Sequence, residues 1–305
     1  MKRAAIMIAV LGISAWALAQ STNKPAAQST PAGQAAGPAA APAGKRPPQA
    51  KTQEEYAAFQ TAAALTDPAA QEKAASDFAA KYADSELRPL IYKAVMHAYQ
   101  QRNNADKMME MAQKVLTFDP DDPEALVASA QVIAEKTHDT DLDKDQRLAE
   151  ARKDAQRALV TVDTDIPASG APAEQLNQLK AFIRSDAYEV LGTIDYNAKN
   201  WVDAEAELRK SIDAFPQQID PVAVLRLALS LDQENKYPEA LKYADQAVGM
   251  TKEGTNVGDS ARSEKDRLTK LTSGSAPLIK YLPSGKNAKS PRGKPRGTTI
   301  STAGR

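Results

Sequence analysis

Residues 191–216 read LGTIDYNAKNWVDAEAELRKSIDAFP, and residues 227–250 read LALSLDQENKYPEALKYADQAVGM. One order of small and large side chains is laid down in both. A Leu followed by a small residue (Leu191-Gly192, Leu227-Ala228) precedes a polar turn. An aromatic (Trp201, Tyr237) then opens a second segment, and an Ala (Ala204, Ala240) follows three residues later. Residues without bulk are required where two antiparallel helices touch backbone to backbone. The order therefore predicts a helix hairpin used at least twice.

The pattern continues towards the amino terminus. Tyr92, Val95, Met96 and Tyr99 fall on one helical face, and AQKVLTFDP at 112–120 ends on an Asp-Pro pair that disfavours further helix. Residues 123–136 supply a first helix through Leu126, Ser129, Ala130 and Ile133, and about 146–159 its partner through Ala151, Ala155, Ala158 and Leu159. Between them stands an insertion, THDTDLDKD. Further back, Tyr56, Phe59 and Ala63 pair with Ala74, Phe78 and Tyr82 as an opening hairpin. Beyond the second strong unit, Ala261, Leu268 and Leu271 form one stripe on a helix over roughly 257–271, suited to capping the end of a stack.

This order of small, aromatic and Pro-terminated positions resembles the tetratricopeptide repeat across residues 52–251. The resemblance implies an all-α fold, a right-handed α-solenoid of about five antiparallel helix hairpins. Such repeats present binding surfaces and rarely carry chemistry themselves.

The two ends differ in composition. Lys2-Arg3, an apolar run at 4–19 and a small-x-small ending at Ala17-Leu18-Ala19 form a charged start, an apolar stretch and a cleavage site. The run is shorter than the ~20 residues needed to span a bilayer, so removal after Ala19 and export to the periplasm or medium are expected. With no Cys in the chain, neither a lipid-modified cysteine nor a disulfide framework can form. Residues 20–50 are mostly Ala, Pro, Gln, Ser and Gly without an aromatic, as in a disordered linker. The expected organisation is a signal peptide at 1–19, that linker at 20–50, the helical solenoid with its cap at 51–273, and a basic disordered tail at 274–305.

The formal net charge of zero conceals a polarised distribution. Residues 1–50 carry five Lys or Arg and 274–305 carry seven, and neither segment has an acid. The remaining 27 basic residues at 51–273 face all 39 acids, a net charge of −12. The tail is readable either as a solvated end or as a cation for an anionic envelope surface. Nucleic acid is not an expected partner, because of the export signal and because the tail holds a single aromatic, Tyr281, for stacking.

Nothing in the sequence assembles a catalytic constellation. There are two histidines, His97 and His138, and no thiol; Gly170, Gly192 and Gly249 are isolated, and no phosphate-binding glycine motif or nucleophile elbow can be written. A non-enzymatic protein without a cofactor is expected. The insertion carries one sharper alternative. Asp139, Asp141, Asp143 and Glu150 have the spacing of a calcium loop whose last residue is a closing carboxylate. Against it, Lys144 stands where the sharp turn needs Gly, Leu142 is apolar where a polar residue is normal, and Gln146 replaces an aliphatic anchor. An acidic loop with Asp143 or Asp145 at the next helix N-terminus accounts for the same residues.

Because the first helix of each hairpin lines the concave surface in the family, the resemblance implies a partner-binding groove. It would be formed by Lys93, His97, Gln100 and Gln101, then Glu124, Val127, Gln131 and Glu135. Asp186, Glu189, Thr193, Tyr196 and Asn197 follow, then Val222, Leu225, Leu229, Asp232 and Gln233. The set leans acidic. Members of the family that grip a terminal carboxylate use a clamp of Lys, Asn and Arg. Here His97 stands in place of the first Asn, and Val127-Ala128 lie where the next is needed. The expectation is a protein- or peptide-binding scaffold of the bacterial cell envelope that favours extended or basic segments. The alternative is an adaptor to envelope polymer or membrane surface acting through the basic tail.

Overall fold

A computed structural model describes residues 45–167 and 171–274, and among these all regular structure is helical. Eleven helices follow in order: α1 (Gln53–Ala63), α2 (Pro68–Lys81), α3 (Arg88–Gln101), α4 (Ala105–Phe118), α5 (Pro123–Lys136), α6 (Lys144–Thr161), α7 (Ala173–Asn197), α8 (Trp201–Ala214), α9 (Pro221–Gln233), α10 (Tyr237–Met250) and α11 (Asn256–Thr272). Consecutive helices pair as antiparallel hairpins, and α5, α7 and α9 also touch one another along the stack. This is an α-solenoid of antiparallel helix hairpins, with α11 packed on α10 and α9 at its end. Among the described residues no helix is long and apolar enough to cross a membrane.

Local chemistry sets where the helices start. Asp67-Pro68, Asp122-Pro123 and Asp220-Pro221 each combine a capping carboxylate with a proline in the first turn. The carboxylates accept from the backbone N–H of Ala70 (2.9 Å), Ala125 (3.0 Å) and Val222 (2.7 Å). Asp at this position satisfies an otherwise orphaned N–H, and Pro has none to lose.

Three helices end by one device. Asn103, Lys199 and Asn235 adopt φ of 54°, 62° and 62° after α3, α7 and α9. The next N–H reaches back to the carbonyl of Tyr99 (3.0 Å), Asp195 (2.9 Å) or Leu231 (2.9 Å). This left-handed closure consumes the last carbonyls and reverses the chain within a few residues. At α5 the insertion at 137–145 takes its place.

Packing follows the small residues. Ala204, Ala240, Ala244 and Ala228 are fully buried, as are Ala151, Ala155 and Ala158 in α6. The apolar clusters overlap along the stack from Phe78 and Ile91 through Ile133, Ile183 and Leu208 to Leu231 and Leu268, so that each hairpin completes its neighbour's core. In the opening hairpin Ala62, not the expected Ala63, is the buried residue, while Phe59 packs edge-on against Phe78 at 6.2 Å.

The segment ahead of α1 is not a free tether as far as it is described. The Lys45 N–H donates to the Thr164 carbonyl (2.9 Å), and its ammonium lies 2.6 Å from Asp119. Arg46 forms a two-pronged pair with Glu86 at 2.5 and 2.8 Å, and the Gln49 N–H also donates to Glu86 (3.0 Å). Residues 45–50 thus cross the turns between hairpins as a strap, which corrects the expectation of an unattached linker up to residue 50. The expected signal peptide, the rest of the linker and nearly all of the basic tail lie outside the described residues.

Candidate functional site

A groove is lined by α5, α7 and α9 and by the turn between α3 and α4. Its apolar lining is Phe182, which is partly exposed, with Met108, Val132, Ala134 and Val190, which are almost fully buried, forming the floor. Its polar residues are Gln100, Asn103, Asn104, Gln131 and Thr193, together with four carboxylates, Glu135, Asp186, Glu189 and Asp220, and one cation, Arg226. Phe182, Asp186, Glu189 and Thr193 recur at intervals of three or four, so one stripe of α7 supplies much of one wall. Arg226 Nη1 donates to Thr193 Oγ1 at 2.8 Å, and Gln131 Nε2 donates to Glu135 Oε1 at 3.3 Å. The lining therefore holds four carboxylates and one guanidinium.

Two expected groove residues are engaged internally instead. Lys93 is buried, and its ammonium touches Asp122 and lies 3.0 Å from Glu124. The His97 ring nitrogen stands 3.0 Å from the other Glu124 oxygen. Burial alone opposes charge on Lys93, but Asp122 and Glu124 outweigh it and raise its pKa above the ordinary lysine value. Burial likewise opposes ionisation of Glu124, and Lys93 with His97 overcomes it, holding the carboxyl well below its usual range. This α3–α5 cluster joins two hairpins. It leaves Lys93 no free ammonium to grip a partner's carboxylate.

The other expected residues divide. Gln131 and Glu189 line the groove together with Gln100, Glu135, Asp186 and Thr193. Gln101 is exposed at the end of α3 outside it, and Asn197 is half-buried at the end of α7. Tyr196 meets Trp201 edge-on at 5.5 Å across the α7–α8 turn and closes that hairpin. Leu229 packs with Val224, Leu225, Ala247 and Ala261, and Asp232 is buried against Arg267 of α11. Tyr196, Leu229 and Asp232 are thus held by the stack itself, and the apolar strip of Tyr196, Leu225 and Leu229 is displaced by the floor around Phe182 and Val190.

Arg226 and Phe182 were not expected in the groove. The periodicity held a signal for Arg226, which stands one helical turn after Val222 on α9, whereas Leu225 turns into the core.

The insertion does not assemble a metal centre. The Asp139 carboxylate is 2.5 Å from the Lys144 ammonium, Asp141 accepts from the His138 N–H at 2.9 Å, and Glu150 is exposed on α6. Asp143 takes the N-cap position without a side-chain capping bond. Among the described residues no three metal-binding side chains converge, so Asp139, Asp141, Asp143 and Glu150 are not brought together as a calcium loop. Lys144 is the physical reason for Asp139: an ammonium already neutralises the first carboxylate of the series.

No family model matches the chain, and no curated protein matches it. Among solved structures it is similar to PilF of Pseudomonas aeruginosa, with 17% identity over 73% of this chain and 95% of that chain and a TM-score of 0.48. It is also similar to Acl4, the assembly chaperone of RpL4 (residues 1–338), with 12% identity over 73% of this chain and 98% of that chain and a TM-score of 0.39.

Proposed function

We propose that the protein is a non-enzymatic scaffold that holds an extended segment of a partner protein, apolar and basic in composition, in the groove between α5, α7 and α9. One observation carries this: an apolar floor (Met108, Val132, Phe182, Val190) bordered by Glu135, Asp186, Glu189 and Asp220. An extended peptide supplies side chains alternately to a floor and to a rim, and lysine or arginine stems can cover apolar surface while their heads meet carboxylates. An acidic terminus would meet repulsion there, with only Arg226 in opposition. The charged and apolar start of the chain supports an exported setting, and hence partners of the cell envelope.

The test is titration of the full chain with a fluorescent extended peptide of Lys, Leu and Pro, at low and high salt. Binding should weaken with salt, because exposed charges are screened within about 3 Å at 1 M. It should also be lost in an Asp186→Lys/Glu189→Lys variant that keeps its helical spectrum. Absence of binding both to the full chain and to a chain carrying Leu278→Asp and Leu282→Asp, or equal binding to the groove variant, overturns the proposal.

A further inference from the structure

Immediately beyond α11 the chain reads PLIKYLP at 277–283, followed by Lys286, Lys289, Arg292, Lys294 and Arg296 with no carboxylate. These residues lie outside the described ones, but their composition matches what the groove presents. We propose that this segment is an internal ligand of the groove. Leu278 and Leu282 lie against the apolar floor beside Phe182 and Val190 with the Lys280 stem between them, and the cations that follow meet Asp186, Glu189 and Glu135. The proposal rests on the groove being a peptide site, as argued above, and adds which peptide occupies it first.

Four features of the molecule support this occupant. Composition is the first: a solvated cationic end has no need of four large apolar side chains in five residues, whereas a groove ligand needs them as anchors. Backbone is the second. Pro277 and Pro283 bound the motif, a composition that disfavours helix and suits an extended ligand.

Reach is the third. α11 ends at Thr272 against α9 and α10, and α9 carries Arg226 on the groove wall. Packed helices lie about 8–10 Å apart, so the face of α7 is about 20 Å from α11. The eight Cα-to-Cα steps from Gly274 to Leu282 span up to about 27 Å when extended. The fourth is a precedent within the chain. The strap places Lys45-Arg46, directly ahead of Pro47-Pro48, on Asp119 and Glu86, so this acidic stack already takes up one non-helical basic segment of its own.

Tethering makes the segment a competitor at millimolar effective concentration, so an outside partner gains the groove only by displacing it. The chain has no cysteine, which makes the test direct. Two full-length double variants are oxidised under mild conditions: Gln131→Cys with Ser290→Cys, joining groove to tail, and Gln156→Cys with Ser290→Cys, joining the tail to an exposed position on α6 of the same hairpin. The groove pair should close within one chain about tenfold or more faster than the α6 pair. That advantage should vanish when Leu278→Asp and Leu282→Asp are added to the tail.

Equal rates for the two pairs overturn the proposal, as does an advantage that survives both Asp substitutions. Closure of the groove pair mainly between two chains also overturns it, since the occupant is then the tail of another copy. If the free peptide binds the groove while the two pairs close equally, the scaffold function stands and only the internal ligand fails.

Discussion

A Cβ placed on Gly192 would stand 2.7 Å from Leu208 Cγ and 3.2 Å from the Leu208 backbone nitrogen. α7 and α8 therefore meet at a point where no side chain fits on one of them. Gly in a helix costs about 1 kcal/mol relative to Ala, so without this contact Gly192→Ala should stabilise the protein. We expect the opposite, a loss of about 1–3 kcal/mol by overpacking, measured by urea denaturation. Adding Leu208→Ala should make the Gly192→Ala step less costly. A Gly192→Ala variant more stable than the parent would show that the helices are not so close.

Ala204 and Ala240 occupy equivalent places in α8 and α10, each fully buried among Leu208, Leu227 and Leu231. Enlarging either to Leu is expected to cost about 1–3 kcal/mol. Unchanged thermal midpoints for both variants would mean that the two hairpins are not in the same register.

These two hairpins were legible because their determinants are local. Gly192 meets Leu208 and Tyr196 meets Trp201 within a short stretch of chain, and Leu227, Ala228, Tyr237 and Ala240 likewise pack in one cluster. The predicted helix over 123–136 matches α5, since Asp122-Pro123 marks its start unambiguously. The groove was legible only in part. Gln131, Glu135, Asp186, Glu189 and Thr193 follow from the resemblance, which implies that the first helix of each hairpin lines the concave side, but an apolar floor depends on how three helices are spaced, which no single stripe encodes. Lys93 shows the same limit. Its charge is readable from the chain, but its partners come from α5, about thirty residues on, and only their approach across the stack shows that the ammonium is already matched.

That match leads to a pH-dependent prediction. The Glu124 carboxyl is held below its ordinary value of 4.5, so its contribution is complete above that pH and is lost as pH falls through the lower folded value. Lys93 is shifted upward, so its contribution is complete below 10.5 and fades only as pH rises further, through the folded value. Replacing Lys93 by Met strands Asp122 and Glu124 without the ammonium and should cost about 3–5 kcal/mol at pH 7. The deficit should shrink below pH 4.5, as Glu124 takes up a proton in the variant. Denaturation curves at pH 7 and pH 4 check this. A deficit equal at both values would assign the loss to packing instead of charge.

The strap makes a separate prediction. Glu86 is lowered to about 2 by its bonds with Arg46 and with the Gln49 N–H, so the contact persists through ordinary acid and is lost only as pH falls from 4.5 through about 2. Arg46→Ala should free residues 45–50 at neutral pH, seen as faster cleavage beside Arg46 and Lys51 by a protease of matching specificity, or as faster hydrogen exchange at Gln49. Exchange at Gln49 that is unaltered in the variant would show that Glu86 holds the strap through its backbone bond alone.

α11 buries Ala261 against Ala247 and Leu225, and Leu268 against the α9–α10 core, while Arg267 reaches Asp232. Its remaining surface is charged, so the helix turns an apolar flank of α9 and α10 into a wettable end, as terminal repeats of solenoids must. A chain ending at Lys252 would expose Tyr243, Ala247 and Leu231 and leave Asp232 without its guanidinium. It should melt earlier and associate in a concentration-dependent way, measured by calorimetry and light scattering. Leu268→Asp should reproduce the lower midpoint in the full chain, because it buries a carboxylate in the seam. Arg267→Ala should cost less, since that side chain is nearly half exposed at 46% and its pairs are partly screened. A truncated chain that stays monomeric and melts with the parent would show that α9 and α10 need no cover, and α11 would then be free to leave the stack and meet a partner.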